Sequence, residues 1–259
     1  MRHLIIEEPF SRPAKWSPML AWFALVVSVM AAALIRWNRI DYPAGFVALG
    51  SGLLVAFIAV GLSLVAFIRI WQEGRRGLGK AIRGLLIAAL VLAYPGWMAV
   101  KAVTLPPIND ISTDTDNPPA FSRSRAALEA RNGRVPPDAT PEARERQREA
   151  YVQIAPLNLD VDPDEAFALV REAATNLGWQ VIEALPPGGR IGTGRLDAIG
   201  HSFLLNLPDD ITVRIRPRAD GARIDIRSAS RIGTHDLGAN AARIRAFLEE
   251  TSNLALAGS

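Results

Sequence analysis

Three long apolar runs open the chain, and shorter alternating stripes fill its last hundred residues. Trp16–Ile35 and Tyr42–Ile68 contain no charged residue, and Gly84–Val100 extends past Lys101 to Leu105. A helix needs roughly 20 apolar residues to cross a hydrocarbon core of about 30 Å. A water-soluble helix apolar on its whole circumference would need burial on every side. The pattern therefore predicts three transmembrane helices, at about 17–36, 43–68 and 84–104. Trp16 and Trp37 flank the first, and Tyr42 and Trp71 the second, as an interfacial aromatic belt would. Ala48, Gly52 and Ala56 recur at four-residue spacing, which reads either as a close helix–helix approach or as ordinary small-residue content. Pro95-Gly96 predicts a kink in the third span. Ala31-Ala32-Ala33 resembles a signal-peptide cleavage region, but the run is long and another span follows, so it reads as a retained anchor.

From Tyr151 onward the periodicity changes. Tyr151–Leu159 reads as an edge strand. Asp162-Pro163-Asp164-Glu165 opens a helix, with Asp162 as cap and acids near the positive dipole end. Ala166, Phe167, Val170, Ala173, Ala174 and Leu177 form its apolar stripe, and Gly178 ends it. Trp179–Leu185 is a strand, Pro186–Gly189 a turn, and Arg190–Leu205 a long strand with a glycine-rich bulge around Gly192-Thr193-Gly194. Pro208-Asp209-Asp210 reads as a further turn. Ile211–Arg218 and Ala222–Arg231 alternate around Ala219-Asp220-Gly221 as a hairpin. Asp236–Thr251 is helical, with Leu237, Ile244, Phe247 and Leu248 inward. The order β-α-β-β-β-β-α predicts an α+β domain: an antiparallel sheet with both helices on one face.

Between the two regions, residues 106–150 hold three Pro-Pro pairs and the acidic patch Asp110, Asp114 and Asp116, with few apolar residues. Such a segment has little surface with which to offset its ordering entropy. It reads as a Pro-rich, charged linker (106–150) between a membrane domain (1–105) and a soluble domain (151–259), with one helix at Pro141–Ala150 capped by Thr140.

Charge sharpens this division. Residues 1–105 carry eleven Lys/Arg against four Asp/Glu, whereas residues 151–259 carry eleven against fourteen. The basic pI of about 9.7 thus originates in membrane-flanking loops and does not indicate a nucleic-acid partner. Arg2, Arg12 and Lys15 in the tail join Arg69, Arg75, Arg76, Lys80 and Arg83 on one side; Arg36, Arg39 and Lys101 lie on the other. The excess places the N-terminus in the cytoplasm and the C-terminal domain outside, in the periplasm of a bacterium whose plasma membrane holds the spans. There is no cysteine and only His3, His201 and His235, so thiol chemistry is excluded and no metal site or cofactor is expected.

The hairpin carries the candidate chemistry. One face takes Ile211, Val213, Ile215, Ile224 and Ile226; the other takes Arg214, Arg216, Arg218, Arg223, Arg227 and Arg231, with Thr212 and Asp225. Six guanidiniums on one face repel unless paired or bound to anions. Arg214, Arg216, Arg227 and Arg231 are candidates for recognising an anionic envelope polymer or headgroup. Alternatively, Asp197, Asp209, Asp210 and Asp225 pair them internally. Ser230, His235 and Asp236 suggest a hydrolase, although no G-x-S-x-G elbow accompanies them, and Thr234 or Asp236 capping the last helix explains the same residues. An apolar lipid pocket between sheet and helices is a third alternative.

The stretches Asp209-Asp210, Val213–Pro217, Asp225–Gly233 and Asp236–Asn240 resemble an uncharacterised bacterial family catalogued as domain of unknown function 1499. The resemblance covers roughly residues 151–250. It makes Asp210, Ser230, Asp236 and Asn240 family-motif positions and implies several N-terminal spans, but it brings no activity. This chain has Leu207-Pro208 where the family tends to have Phe and Lys, and His235 near a position where it tends to have Ser. The chain is thus expected to be a membrane-anchored envelope protein whose domain binds an anionic envelope component or another membrane protein.

Overall fold

The computed structural model describes residues 9–188 and 192–258; Arg2 of the charge count, Gly189 of the expected turn and Arg190 of the expected strand lie outside them. The chain divides into two compact units. One ends at Val100 and also takes in Leu204–Asn206; the other comprises Lys101–Phe203 and the chain from Leu207 onward.

The first unit is built on α1 (Arg12–Arg36), α2 (Tyr42–Glu73) and α3 (Leu78–Thr104), all three long and apolar enough to cross a membrane. Each extends beyond its apolar run. α2 stops at Gly74, whose left-handed φ of 64° lets its N–H reach the Ile70 carbonyl. α3 begins at Leu78 and so contains Lys80 and Arg83, whose long stems can carry the charge outward. It continues through Pro95. The helices meet through small residues: a Cβ on Gly52 would lie 2.5 Å from Ser28 Oγ of α1, and one on Gly84 only 1.8 Å from Ser17 Oγ. Gly52 and Ala56 of the four-residue repeat are therefore contact positions, Ala48 is only half-buried, and the stripe continues through Ala59, Ser63 and Ala66. Ser17 and Ser63 share a buried 2.6 Å hydrogen bond across α1 and α2.

The second unit is an antiparallel α+β domain. Its elements are β1 (Asp110–Ser112), α4 (Arg125–Ala130), α5 (Pro141–Ala150), β2 (Leu157–Leu159), α6 (Pro163–Asn176), β3 (Gln180–Leu185), β4 (Gly194–His201), β5 (Pro208–Arg218), β6 (Gly221–Ser230) and α7 (Ala239–Gly258). The strands lie in the order β1-β6-β5-β4-β3, and β2 continues the line of β1 along the edge of β6. Between those two short strands, Thr113 closes the gap: its N–H donates to the Ile226 carbonyl, and its hydroxyl accepts from the Ile226 N–H, both at 2.9 Å. The β5–β6 hairpin pairs Arg218 with Gly221 around a two-residue turn. Ile211, Val213, Ile215, Ile224 and Ile226 pack at essentially zero exposure against Val170, Ala173, Ile244 and Phe247 of α6 and α7. Each such aliphatic side chain contributes about 1.5–3 kcal/mol by leaving water. Trp179 stacks on Phe247 at 5.0 Å between centroids.

Four expectations need correction. Residues 106–150 are not a spacer: Ile108, Ile111 and Phe121 are buried in the domain, and β1 and α4 lie within the segment. Pro208-Asp209-Asp210 is the start of β5, and the chain instead turns at Ser202–Leu207, where Asn206 adopts φ 56°. The bulge lies in β3, between Val181 and Glu183, not at Gly192–Gly194. Finally, α7 starts at Ala239 because Leu237 and Gly238 take positive φ values of 54° and 80° just ahead of it.

Candidate functional site

Strand alternation sends the polar residues of β4, β5 and β6 to the face away from α6 and α7, and the segment 110–138 lies over that face. Three clusters result. At one end, Arg131 at the end of α4 is 1% exposed. Its Nε donates to Asp210 (3.0 Å) and its two terminal nitrogens to Asp197 (2.8 Å) and the Ser122 carbonyl (2.9 Å). Arg231 donates to the same Asp210 from the other side. Arg195 Nε lies 3.2 Å from Asp197 Oδ2 without aiming its N–H at it, while its terminal nitrogen reaches Glu183 and Ser122. Burial pushes the Asp197 carboxyl up, against the Ser122 N–H and the Arg131 guanidinium, which pull it down.

In the middle, Arg227 is 2% exposed. It donates to Asp110 (2.7 Å), Asp138 (2.9 Å) and the carbonyls of Pro119 and Pro137. The guanidinium carbons of Arg227 and Arg131 both lie over the Phe121 ring, 4.8 and 5.2 Å from its centroid. Burial lowers the Arg227 pKa, but Asp110 and Asp138 outweigh it and raise the net value. At the far end, Arg214, Arg216 and Arg223 converge on Asp114 and Asp225 at 2.8–3.2 Å.

Seven guanidiniums on this face (Arg131, Arg195, Arg214, Arg216, Arg223, Arg227, Arg231) thus meet seven carboxylates (Asp110, Asp114, Asp138, Glu183, Asp197, Asp210, Asp225). Arg214, Arg216, Arg227 and Arg231 do share one face, as the alternation implied, but the chain's own acids already occupy it. Of the carboxylates expected to pair them, Asp210 and Asp225 do so directly, Asp197 holds Arg131 and Arg195, and Asp209 faces the other way, onto Arg243 of α7. The sequence reading missed Arg131, Asp110, Asp114 and Arg243. The signal for two of them was visible: an acidic patch preceding a domain with an unpaired basic face.

Burial works against ionisation of Asp114, but the Asn117 N–H and the guanidiniums of Arg216, Arg223 and Arg214 outweigh it and hold the carboxyl below its ordinary value. A carboxylate depressed in the folded state stabilises the fold above its unfolded pKa of 3.8, and that contribution disappears as pH falls through the lower folded value. Urea titrations of wild type and Asp114→Asn should therefore differ most near neutrality and converge below about pH 4. A stability gap that stays constant with pH would contradict this role for Asp114.

The other face carries the remaining motif residues, near the start of α7. Asn240 is buried: it accepts from Ser228 (2.7 Å) and Arg243 (2.7 Å), and its amide donates to Ser230 Oγ (3.0 Å) and the Asn109 carbonyl (2.9 Å). Asp236 accepts from the N–H groups of Gly238 (3.0 Å) and Asn240 (2.8 Å), so it is the capping residue; Thr234 is exposed. Burial pushes the Asp236 carboxyl up despite those two bonds. Ser230, Asp236 and Asn240 are thus brought together, whereas Asp210 lies on the opposite face. His235 Nδ1 accepts the Leu237 N–H (3.1 Å), and its buried Nε2 has no partner among the described residues, so no bond links His235 to Ser230. Beside Ser230 a cleft of about 200 Å³ opens between Asn109-Asp110, Ala229 and Pro136–Thr140. The space between sheet and helices is occupied by the packed isoleucines and Phe247 and leaves no lipid pocket there among the described residues.

Comparison with known proteins adds one match. A family model described as Protein of unknown function (DUF1499) covers residues 110–251, so it begins at β1 and includes the segment folded over the arginine face. No curated protein matches the chain.

Proposed function

The chain belongs to the DUF1499 family, and we propose that its domain is a non-catalytic binding module, presented by three membrane helices on the outer face of a bacterial plasma membrane. The observation that carries this reading is the state of the motif residues. Ser228, Ser230, Asp236 and Asn240 are hydrogen-bonded into the scaffold, and the cleft next to them stays open. A nucleophile needs a base within hydrogen-bond reach, and among the described residues Ser230 Oγ is met by the Asn240 amide instead. The excess of Lys and Arg in the N-terminal tail and the α2–α3 loop supports the outward orientation.

The balanced ion pairs favour the cleft over the arginine face as the binding place, because a neutralised face has no net field to attract a polyanion. Asp110, Asp138, Thr140 and Ser230 line the cleft with acceptors and hydroxyls, which suits a hydroxyl- or amide-rich envelope polymer. Its volume is below the roughly 300–1,000 Å³ of drug-sized pockets and fits one sugar ring or a short peptide turn.

The test has two arms. C-terminal alkaline phosphatase fusions should be active and fluorescent-protein fusions dark. Full-length protein in nanodiscs should co-sediment with peptidoglycan sacculi, and Ala139→Trp, which fills the cleft, should abolish this. Equal sedimentation of both proteins would remove the cleft from the reading, and hydrolysis of sacculi that depends on Ser230 would replace binding with catalysis.

A further inference from the structure

Two pairs of arginines stand directly opposite each other on neighbouring strands of the polar sheet face. Arg216 of β5 is the register partner of Arg223 of β6, and Arg195 of β4 that of Arg214 of β5. Side chains opposed in this way start about 4.5–5.5 Å apart, where like charges destabilise the sheet. For the first pair the chain supplies its own counter-charge. Asp114 lies 3.0 Å from Arg216 and 3.1 Å from Arg223, and Asp225 lies 2.8 and 3.0 Å from the same two. No carboxylate among the described residues bridges the second pair. Arg195 is bound to Glu183 and flanked by Asp197, whereas Arg214 turns to Asp114 and Asp225.

A cavity of about 250 Å³ has both Arg195 and Arg214 in its wall. Pro118, Pro119 and Leu185 give it apolar sides, and no acid lines it among the described residues. The hydrogen bonds of Arg214 use Nε and one terminal nitrogen, and those of Arg195 a single terminal nitrogen. Each guanidinium therefore keeps a terminal nitrogen without a bond to any described residue.

We propose that this cavity binds a small organic carboxylate, whose charged end bridges Arg195 and Arg214 as Asp114 bridges Arg216 and Arg223. A guanidinium fork matches a planar carboxylate, and hydrogen bonds between ionised groups are roughly twice as strong as neutral ones. The apolar sides select an acid with a compact hydrocarbon body over an inorganic anion. The volume, below the roughly 300–1,000 Å³ of drug-sized pockets, limits that body to about one ring or a short branched chain. This site is separate from the cleft beside Ser230, and the charge balance of the face does not oppose it. A neutralised face lacks the long-range field that gathers a polyanion, but a single carboxylate is held by contact.

The probe is para-fluorobenzoate, observed by fluorine NMR with full-length protein in phosphatidylcholine nanodiscs and with empty nanodiscs as background. Its line should broaden beyond that background at millimolar concentration, and the line of neutral para-fluorobenzamide should not. Leu185 is 46% exposed on the edge strand β3, so Leu185→Glu adds an acid at the cavity wall without disturbing the core. It should weaken binding at least about tenfold by supplying the missing counter-charge, whereas Leu185→Gln should bind as wild type does. No broadening, or equal broadening by acid and amide, would overturn the proposal. Unchanged binding in Leu185→Glu would do the same, as would equal loss in Leu185→Gln, since charge would then not be what the site reads. Displacement of the probe by inorganic phosphate as readily as by unlabelled benzoate would mean a general anion site and would also overturn it.

Discussion

Replacing Arg131 with alanine should destabilise the domain by about 3–5 kcal/mol, the usual cost of removing one partner from a buried ion pair. Arg131 and Asp197 are both completely buried at the side chain, and Asp210 is 3% exposed. Without the guanidinium, Asp197 keeps the Ser122 N–H and a poorly aimed Arg195, while Asp210 keeps Arg231. Asp197 is thus the group left exposed to its own desolvation. Its carboxyl, already raised in the wild type, would rise further. A carboxyl raised in the folded state takes up its proton there first, so the variant should recover part of its loss as pH falls from 7 toward the folded pKa. Arg131→Ala/Asp197→Ala should lose less than the sum of the single changes, because neither charge is then stranded. Arg131→Lys should remain well below wild type, since an ammonium cannot fork to two carboxylates and a carbonyl in one plane. Amide hydrogen exchange in β4 and β5 of the full-length protein reads these effects without requiring the two units to unfold together. A loss below about 1 kcal/mol would mean that water relieves Asp197, and the buried-pair account would fail.

The elements that were legible in sequence are those whose signal is local. Asp162-Pro163 set the start of α6, and Asp162 does accept the Asp164 N–H. Thr140-Pro141 did the same for α5, where Thr140 accepts from Ala143. The isoleucine alternation fixed both faces of the hairpin, and the uncharged runs marked the three long helices. Residues 106–139 were not legible because little beyond the Ser124 cap of α4 orders them locally. Ile108, Ile111 and Phe121 are isolated anchors without a period, and Asp110 and Asp138 are tied to Arg227 more than 80 residues away. Composition alone therefore read as disorder what charge pairing holds in place. The same limit explains Asp209-Asp210. Beside a proline they look like a turn, yet strand alternation sends one to Arg243 and the other to Arg131, and neither arginine is near in sequence. Ser230 and His235 show the converse. Five residues apart, they end up in separate hydrogen-bond systems.

Arg227→Ala should free the covering segment while leaving the helix-backed core intact. Arg227 is the only described side chain that bonds Asp110 at one end of the segment and Asp138, with the Pro137 carbonyl, at the other. Removing it leaves Asp110, 11% exposed, without its guanidinium, and removes the cation over the Phe121 ring. The expected cost is again about 3–5 kcal/mol, but its form differs from that of Arg131→Ala. Arg131 ties Asp197 of β4 to Asp210 of β5, so its loss is felt in the sheet. Arg227 ties β6 to a segment that buries few apolar residues, so local opening is the easier response. Trypsin should then cut the full-length protein at Arg123, Arg125 and Arg134 at least roughly a hundredfold faster, because each 1.4 kcal/mol of lost local stability raises the open population about tenfold. Hydrogen exchange in β5 and around Ile244 and Phe247 should stay slow. Uniform loss of protection would show that the segment and the core form one cooperative unit. An unchanged cleavage pattern would show that Thr113 and the Asp114 cluster hold the segment without Arg227. The local outcome bears on function as well, because Pro136–Thr140 form one wall of the cleft beside Ser230. Arg227→Ala should therefore abolish binding of sacculi although Arg227 does not line that cleft, and this loss should accompany the proteolytic opening at every pH and salt concentration at which the segment is released.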